Sequence, residues 1–118
     1  MTDAEKTSDL IARAERVRNE MGGADKVSKI SDEGDRTIRQ HIGEFLDIGT
    51  FREIGTFSRS IRTEEREKTP GDGKIGGHGM VNGRPVAVFG DDITVYRGSS
   101  SIVGTRKEHR LYERAMAM

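Results

Sequence analysis

The stretch that decides the fold covers residues 74–96 and reads KIGGHGMVNGRPVAVFGDDITVY. Asn82-Gly83 at its centre is the strongest short hairpin signal, because both positions of a two-residue turn need positive φ and these residue types tolerate it. The pattern predicts a strand over 74–81, a partner strand over 84–89 and a third strand over 93–96. The sequence therefore predicts a three-stranded sheet in this half of the chain.

Both faces of the predicted partner strand are apolar. Val86 and Val88 point to one face, while Ala87 and Phe89 point to the other. A sheet with two apolar faces needs a covering layer on each side, and the thin helices of this chain can hardly supply both. We therefore expect that the protein is not a stable monomer, and that a partner chain or a second copy covers the rest.

The segments around the sheet are mostly helical in pattern. Thr2-Asp3-Ala4-Glu5 fits a capping box, and Gly22-Gly23 ends the helix that follows it. A second helix and a last helix are predicted from apolar residues at helical spacing, namely Ile38, Ile42, Phe45 and Leu46, and then Leu111, Tyr112, Ala115 and Met116. Between them, residues 51–61 are predicted as a short strand or strand pair, and residues 63–69 as a charged loop.

Composition excludes several classes of protein. Twenty basic and twenty acidic residues give a net charge of zero, which argues against a dedicated nucleic-acid binder. The absence of cysteine excludes a disulfide scaffold, a thiol nucleophile and a cysteine metal site. Because the sequence has neither an apolar run of membrane-spanning length nor a secretory signal, we expect no membrane partner and a cytoplasmic location.

The glycine-rich runs are weak candidates for chemistry. Residues 71–74 and 76–79 lack the Gly-Lys-Ser/Thr ending of a nucleotide P-loop and open no helix, so close approach of backbones is the favoured interpretation. His78 has no spaced partner, and Asp91-Asp92 would point to opposite faces of a strand. We therefore predict no metal site.

The segment after the third predicted strand is the better candidate site. Gly98-Ser99-Ser100-Ser101 lies between a strand end and a helix start, where free backbone amides and the helix dipole favour an anion, and Arg97 adds a positive charge. An ordinary serine N-cap explains the same pattern equally well.

Several motifs resemble, in order and spacing, the start of one enzyme family. They are Pro70-Gly71-Asp72-Gly73, Gly77-His78-Gly79, Asn82-Gly83-Arg84-Pro85-Val86, Asp92-Ile93-Thr94-Val95 and Gly98-Ser99, preceded by Arg39, Phe45-Leu46-Asp47 and Gly49-Thr50-Phe51-Arg52-Glu53-Ile54. The family is that of the biotin-dependent acyl-CoA carboxyltransferases, which are the β subunits of acetyl-CoA and propionyl-CoA carboxylases. Two positions depart from its pattern, since Ile93 stands for phenylalanine and Arg97 for glycine.

The resemblance implies a fold, a ligand and a reaction. The fold would be α/β (α+β), the N-terminal part of a crotonase-like ββα spiral preceded by two helices. Residues 1–22 would form an N-terminal helix or arm, and residues 23–118 an incomplete carboxyltransferase module. The reaction would move a carboxyl group from carboxybiotin to the acyl α-carbon, with biotin on a partner protein and no cofactor bound directly. The residues implied to bind acyl-CoA are Thr94, Tyr96, Arg97, Gly98, Ser99 and Ser100.

The resemblance also implies what this chain would lack. The oxyanion-forming glycine turns and the biotin-binding second domain come later in the family's sequences, so we expect no catalytic residue in this chain and no activity from it alone. A small subunit or N-terminal module completed by a second carboxyltransferase polypeptide is the favoured hypothesis. The alternatives are a non-catalytic assembly or regulatory protein, a CoA-binding module, and a subunit of an acyl-CoA decarboxylase complex.

Overall fold

The computed structural model describes residues 2–96 and 102–118. Its regular elements are α1 (Asp3–Glu20), α2 (Ala24–Asp32), α3 (Ile38–Phe45), β1 (Arg52–Ile54), β2 (Lys74–Val81), β3 (Arg84–Asp91) and α4 (Ile102–Ala117). Two short 3₁₀ segments, Thr63–Lys68 and Pro70–Gly73, connect β1 to β2. Within these two ranges no helix is long and apolar enough to cross a membrane.

The predicted N-terminal capping box is confirmed. The Thr2 side chain accepts a hydrogen bond from Glu5 N, and the Glu5 carboxylate accepts one from Thr2 N. The number of helices before the sheet is three and not two, because α2 was not predicted. Its apolar content is small, and Ile30 is its only buried residue. An apolar stripe that short gives no clear helical period.

The hairpin prediction is confirmed. Strands β2 and β3 pair antiparallel, with Val81 opposite Arg84 across the turn. Asn82 has φ 51° and Gly83 has φ 76°, the two positive values that a two-residue turn of this kind requires. The Asp47 carboxylate accepts hydrogen bonds from both turn amides, each at 2.9 Å, so the end of α3 is fastened to the hairpin.

Replacing Gly83 by valine is expected to lower the free energy of unfolding by about 1 kcal/mol or more, because a β-branched residue resists positive φ. A Cβ at this position meets no atom within 4 Å, so backbone strain alone would cause the loss. Thermal denaturation measures it, with Gly83→Asn as the matched control, since asparagine tolerates positive φ. A melting temperature unchanged by Gly83→Val would contradict the prediction.

The predicted third strand over 93–96 is wrong. The Asp92 carboxylate accepts hydrogen bonds from Thr94 N at 2.9 Å and from Thr94 Oγ1 at 2.6 Å, which bends the chain into a turn. The sheet still has three strands, in the order β1-β2-β3, because β1 pairs with the other edge of β2. Of the strand predicted within residues 51–61, only Arg52–Ile54 forms.

The chain supplies one helix for each face of the sheet. On one face, Ile42 and Leu46 of α3 pack with Ile75, against which Val86 and Val88 are partly buried. On the other face lies α4, whose Leu111 is 1% exposed and contacts the sheet at Gly76. Cover on this second face is incomplete, since Phe89 remains 49% exposed.

Candidate functional site

The segment predicted to bind acyl-CoA begins at Thr94, and its first residues lie inside the fold. Thr94 is 2% exposed, and its hydroxyl donates to Asp92 Oδ1 and accepts from Gly22 N at 2.8 Å. Its carbonyl oxygen accepts from Lys26 Nζ at 3.4 Å. The side chain of Thr94 is therefore committed to holding the junction of α1 and α2.

Tyr96 is 46% exposed and has φ 46°, in the left-handed region that few non-glycine residues adopt. Arg97, Gly98, Ser99 and Ser100 lie outside the described residues. Asp92 is 1% exposed, and its Oδ2 has no hydrogen-bond partner in the described part of the chain.

The start of α4 is anchored to the short loop before β2. Gly104 N donates to Asp72 Oδ2 at 3.0 Å, and Lys107 Nζ donates to Gly71 O at 2.6 Å. Gly71 and Asp72 both have positive φ, 69° and 49°, which is how one short loop presents a carbonyl and a carboxylate to the same helix. Because a carboxylate satisfies an N-terminal amide and the helix dipole together, Asp72 is a cap supplied from a distant part of the chain.

Lys107 is buried beneath this anchor. Its Nζ also donates to Ser58 Oγ at 2.8 Å and to Gly55 O at 3.3 Å, so the three protons of the ammonium group face three oxygens. Burial lowers the pKa of Lys107 to about 8, against the opposing charges of Glu53 and Asp72. The group fastens α4 to the loops on either side of the 3₁₀ segment Thr63–Lys68.

A buried ion pair fixes α3 to the sheet. The Glu53 side chain is 3% exposed, and the Arg39 guanidinium donates to both of its carboxylate oxygens at 2.8 and 2.9 Å. Arg18 of α1 lies 3.6 Å from the same carboxylate. Burial raises the pKa of Glu53, but the hydrogen bonds from Arg39 and Thr56 and the charges of Arg39 and Arg18 together outweigh it, so this pKa lies below its ordinary value.

The glycines of β2 allow close approach of backbones, as the sequence predicted. A Cβ on Gly77 would lie 2.1 Å from the backbone oxygen of Arg52, and one on Gly79 would lie 2.6 Å from the side chain of Leu46, so Gly79 instead makes room for α3. Neither glycine-rich run opens a helix. No group of three potential metal-ligating side chains was found among the residues that the structure describes.

Comparison with known proteins gives a consistent result. The carboxyl transferase domain family matches residues 29–118. A propionyl-CoA carboxylase carboxyltransferase subunit of Haloferax mediterranei is 40% identical over 99 residues, covering 80% of this chain and 19% of the relative. A biotin-dependent long-chain acyl-CoA carboxylase beta4 subunit of Mycobacterium tuberculosis is 39% identical over 112 residues, covering 95% of this chain and 21% of the relative.

Solved structures agree with the sequence relatives. A transcarboxylase 12S structure with methylmalonyl-CoA bound superimposes with a TM-score of 0.89 at 29% identity, over 99% of this chain and 23% of the solved one. A single-chain, multi-domain long-chain acyl-CoA carboxylase superimposes with a TM-score of 0.86 at 26% identity, over 99% of this chain and 13% of the solved one.

The fold is thus α+β, part of a crotonase-like carboxyltransferase domain. The chain belongs to the carboxyl transferase domain family, whose relatives here are carboxyltransferase subunits of biotin-dependent acyl-CoA carboxylases. It spans about a fifth of the length of the relatives it matches.

Proposed function

We propose that this chain is the N-terminal module of an acyl-CoA carboxyltransferase and helps to hold acyl-CoA at residues 94–101, while other polypeptide supplies the oxyanion donors. The observation that supports this proposal most directly is that both flanks of the segment are anchored by hydrogen bonds to distant parts of the chain. Thr94 is bonded to Gly22 on one side, and Gly104 is bonded to Asp72 on the other. Anchored flanks suit a ligand-binding segment, since positioning by a rigid scaffold lowers the entropic cost of binding.

Each residue of the proposed site would have its own part in binding. The Thr94 hydroxyl has a donor and an acceptor inside the fold, so its part in the site is to hold the segment in place. Tyr96 is 46% exposed, and its ring would contact a ligand bound along the segment. Arg97, Gly98, Ser99 and Ser100 would offer a guanidinium, backbone amides and hydroxyls.

The proposed domain boundaries, cofactor and partner polypeptide are based on membership of the family. Residues 1–22 would be an N-terminal arm, and residues 23–118 part of a module that is completed by further carboxyltransferase polypeptide. Biotin on a partner protein would deliver the carboxyl group, and no cofactor would be bound by this chain. Such polypeptide would cover a surface that includes Phe89, which is half exposed, and Met116 of α4. The Met116 residue is 71% exposed.

Two turn variants test the proposal in the complex purified from its host. Gly98→Val and Ser99→Pro are expected to raise the KM for acyl-CoA about tenfold or more, because valine restricts the backbone freedom of a glycine and proline removes a backbone amide donor. Native mass measurement should show that both variants assemble like the wild type. The purified 118-residue chain alone is expected to transfer no carboxyl group at any acyl-CoA concentration.

The outcomes separate the competing functions. Turnover by the purified chain alone would overturn the need for other polypeptide. Full activity of a complex carrying the turn variants would overturn the ligand-binding role and favour a non-catalytic assembly protein. Loss of carboxyl from a malonyl-type thioester without any biotin-dependent transfer would favour a decarboxylase complex.

A further inference from the structure

A pocket with an excess of positive charge lies outside residues 94–101. It encloses about 200 Å³ between the last turns of α1 and the chain from Thr56 to Pro70. Four arginines line it, two from each side: Arg13 and Arg16, and Arg59 and Arg66. Two carboxylates, Glu20 and Glu67, share the lining, so the formal charge of the pocket is positive.

The arginines of this pocket are unequally neutralised. Arg59 pairs with Glu67 at 3.4 Å, and Arg13 lies over the Phe57 ring, 5.2 Å from its centroid. In the described residues, the side chains of Arg16 and Arg66 form no ion pair or hydrogen bond. Two guanidiniums on opposite walls of one pocket therefore have no ion-pair partner among the described residues, although Glu20 and Glu67 share the lining.

The pocket is next to both anchors of the proposed acyl-CoA segment. Met21 lines it and directly precedes Gly22, whose amide is bonded to Thr94. Pro70 lines it on the other side and directly precedes the Gly71-Asp72 pair that holds α4. A ligand bound along residues 94–101 would thus have a basic cavity beside it.

We propose that this pocket, here named the arginine pocket, binds a phosphate group, and that Arg16 and Arg66 are its principal contacts. The inference rests on the proposed function for one point only, the source of the phosphate, which would be the 3′-phosphate or the diphosphate of coenzyme A. A guanidinium presents a planar fork of N–H donors that matches phosphate oxygens. The volume suits a phosphate or diphosphate rather than a whole nucleotide, since sites for larger ligands measure about 300–1,000 Å³.

The test is calorimetric titration of the protein in its native assembly with three probes: coenzyme A, dephospho-coenzyme A and inorganic pyrophosphate. Arg16→Gln and Arg66→Gln are each expected to weaken coenzyme A binding about tenfold, in line with loss of one charge-assisted hydrogen bond. Arg62→Gln is the matched control, because Arg62 lies outside the pocket and pairs with Glu65 at 3.8 Å. Its effect should stay within about twofold.

The three probes separate the possible results. A penalty from Arg16→Gln that disappears with dephospho-coenzyme A assigns the pocket to the 3′-phosphate, and one that persists assigns it to the diphosphate. Arginine-dependent binding of pyrophosphate without any binding of coenzyme A would keep the phosphate site and contradict the proposed function. If each probe binds the wild type, Arg16→Gln and Arg66→Gln with the same affinity, the arginine pocket is not a phosphate site. That result would leave the proposed function standing.

Discussion

Replacing Arg39 by methionine is expected to lower the free energy of unfolding by about 3–5 kcal/mol, because it leaves the Glu53 carboxylate buried without its bidentate partner. The Glu53 side chain is 3% exposed, and Arg18, at 3.6 Å and half exposed, is too loosely held to replace Arg39. Urea or thermal denaturation of the protein in its native assembly measures the loss.

Two comparisons make this result specific. Arg36→Met removes an arginine from an ion pair with Glu44 in which both side chains are more than half exposed, and is expected to cost less than about 1 kcal/mol. The double variant Arg39→Met/Glu53→Met should recover much of the loss, because it leaves no unpaired buried charge. A double variant as unstable as Arg39→Met alone would show that packing, and not charge, is what Arg39 provides.

The same pair predicts a change in how stability depends on pH. In the wild type the pKa of Glu53 lies below its ordinary value, so its contribution to stability is present at neutral pH and is lost as the pH falls through the folded-state pKa. Without the hydrogen bond and charge of Arg39, we expect burial, the largest single influence on this group, to raise that pKa. The Arg39→Met variant should therefore lose less stability on acidification than the wild type.

The sequence predicts those parts of the fold that are determined locally. Asn82-Gly83 specifies its own turn, because few residue pairs adopt two successive positive φ values. The Thr2 cap depends on groups within three residues of each other. The alternation in β3 predicts its two apolar faces, and the structure places α3 against one and α4 against the other. Each of these features depends on neighbours along the chain.

The strand predicted over residues 93–96 was wrong because two local sequence signals compete there. The apolar residues Ile93 and Val95 alternate with Thr94 and so resemble a strand. An aspartate two residues before a threonine can also bend the chain by accepting its amide and hydroxyl protons, and Asp92 does so. Ile93, which would be half of the strand's apolar pattern, is 57% exposed. The Asp-x-Thr spacing was the available signal for a turn.

Other features of the site depend on contacts that no local pattern reveals. Gly22 and Thr94 are 72 residues apart in sequence, and Gly104 and Asp72 are 32 apart. Only the completed fold brings the end of α1 and the loop that carries Asp72 to the two flanks of residues 94–101. The arginine pocket is of the same kind, because its two walls come from α1 and from the chain between β1 and β2.

Replacing Gly22 by alanine is expected to lower the free energy of unfolding by about 3 kcal/mol or more, the upper end of what overpacking costs. A Cβ at Gly22 would lie 1.9 Å from Thr94 O and 2.4 Å from Thr94 C, and these are backbone atoms that no side-chain rotation can move aside. Relief requires the junction of α1 and α2 to separate from Thr94, which breaks the 2.8 Å bond from Gly22 N to Thr94 Oγ1. Thermal denaturation measures the loss.

Gly43→Ala is the matched control for this change, because a Cβ at Gly43 in α3 meets no atom within 4 Å and alanine is the better helix former. It should be neutral or slightly stabilising. If Thr94 holds the acyl-CoA segment in place, Gly22→Ala should also raise the KM for acyl-CoA in whatever fraction of the complex stays folded, with a smaller change in kcat. A Gly22→Ala protein that melts with the wild type would contradict the close contact itself. One that melts early but keeps its KM would confine the role of the contact to stability and separate Thr94 from the ligand.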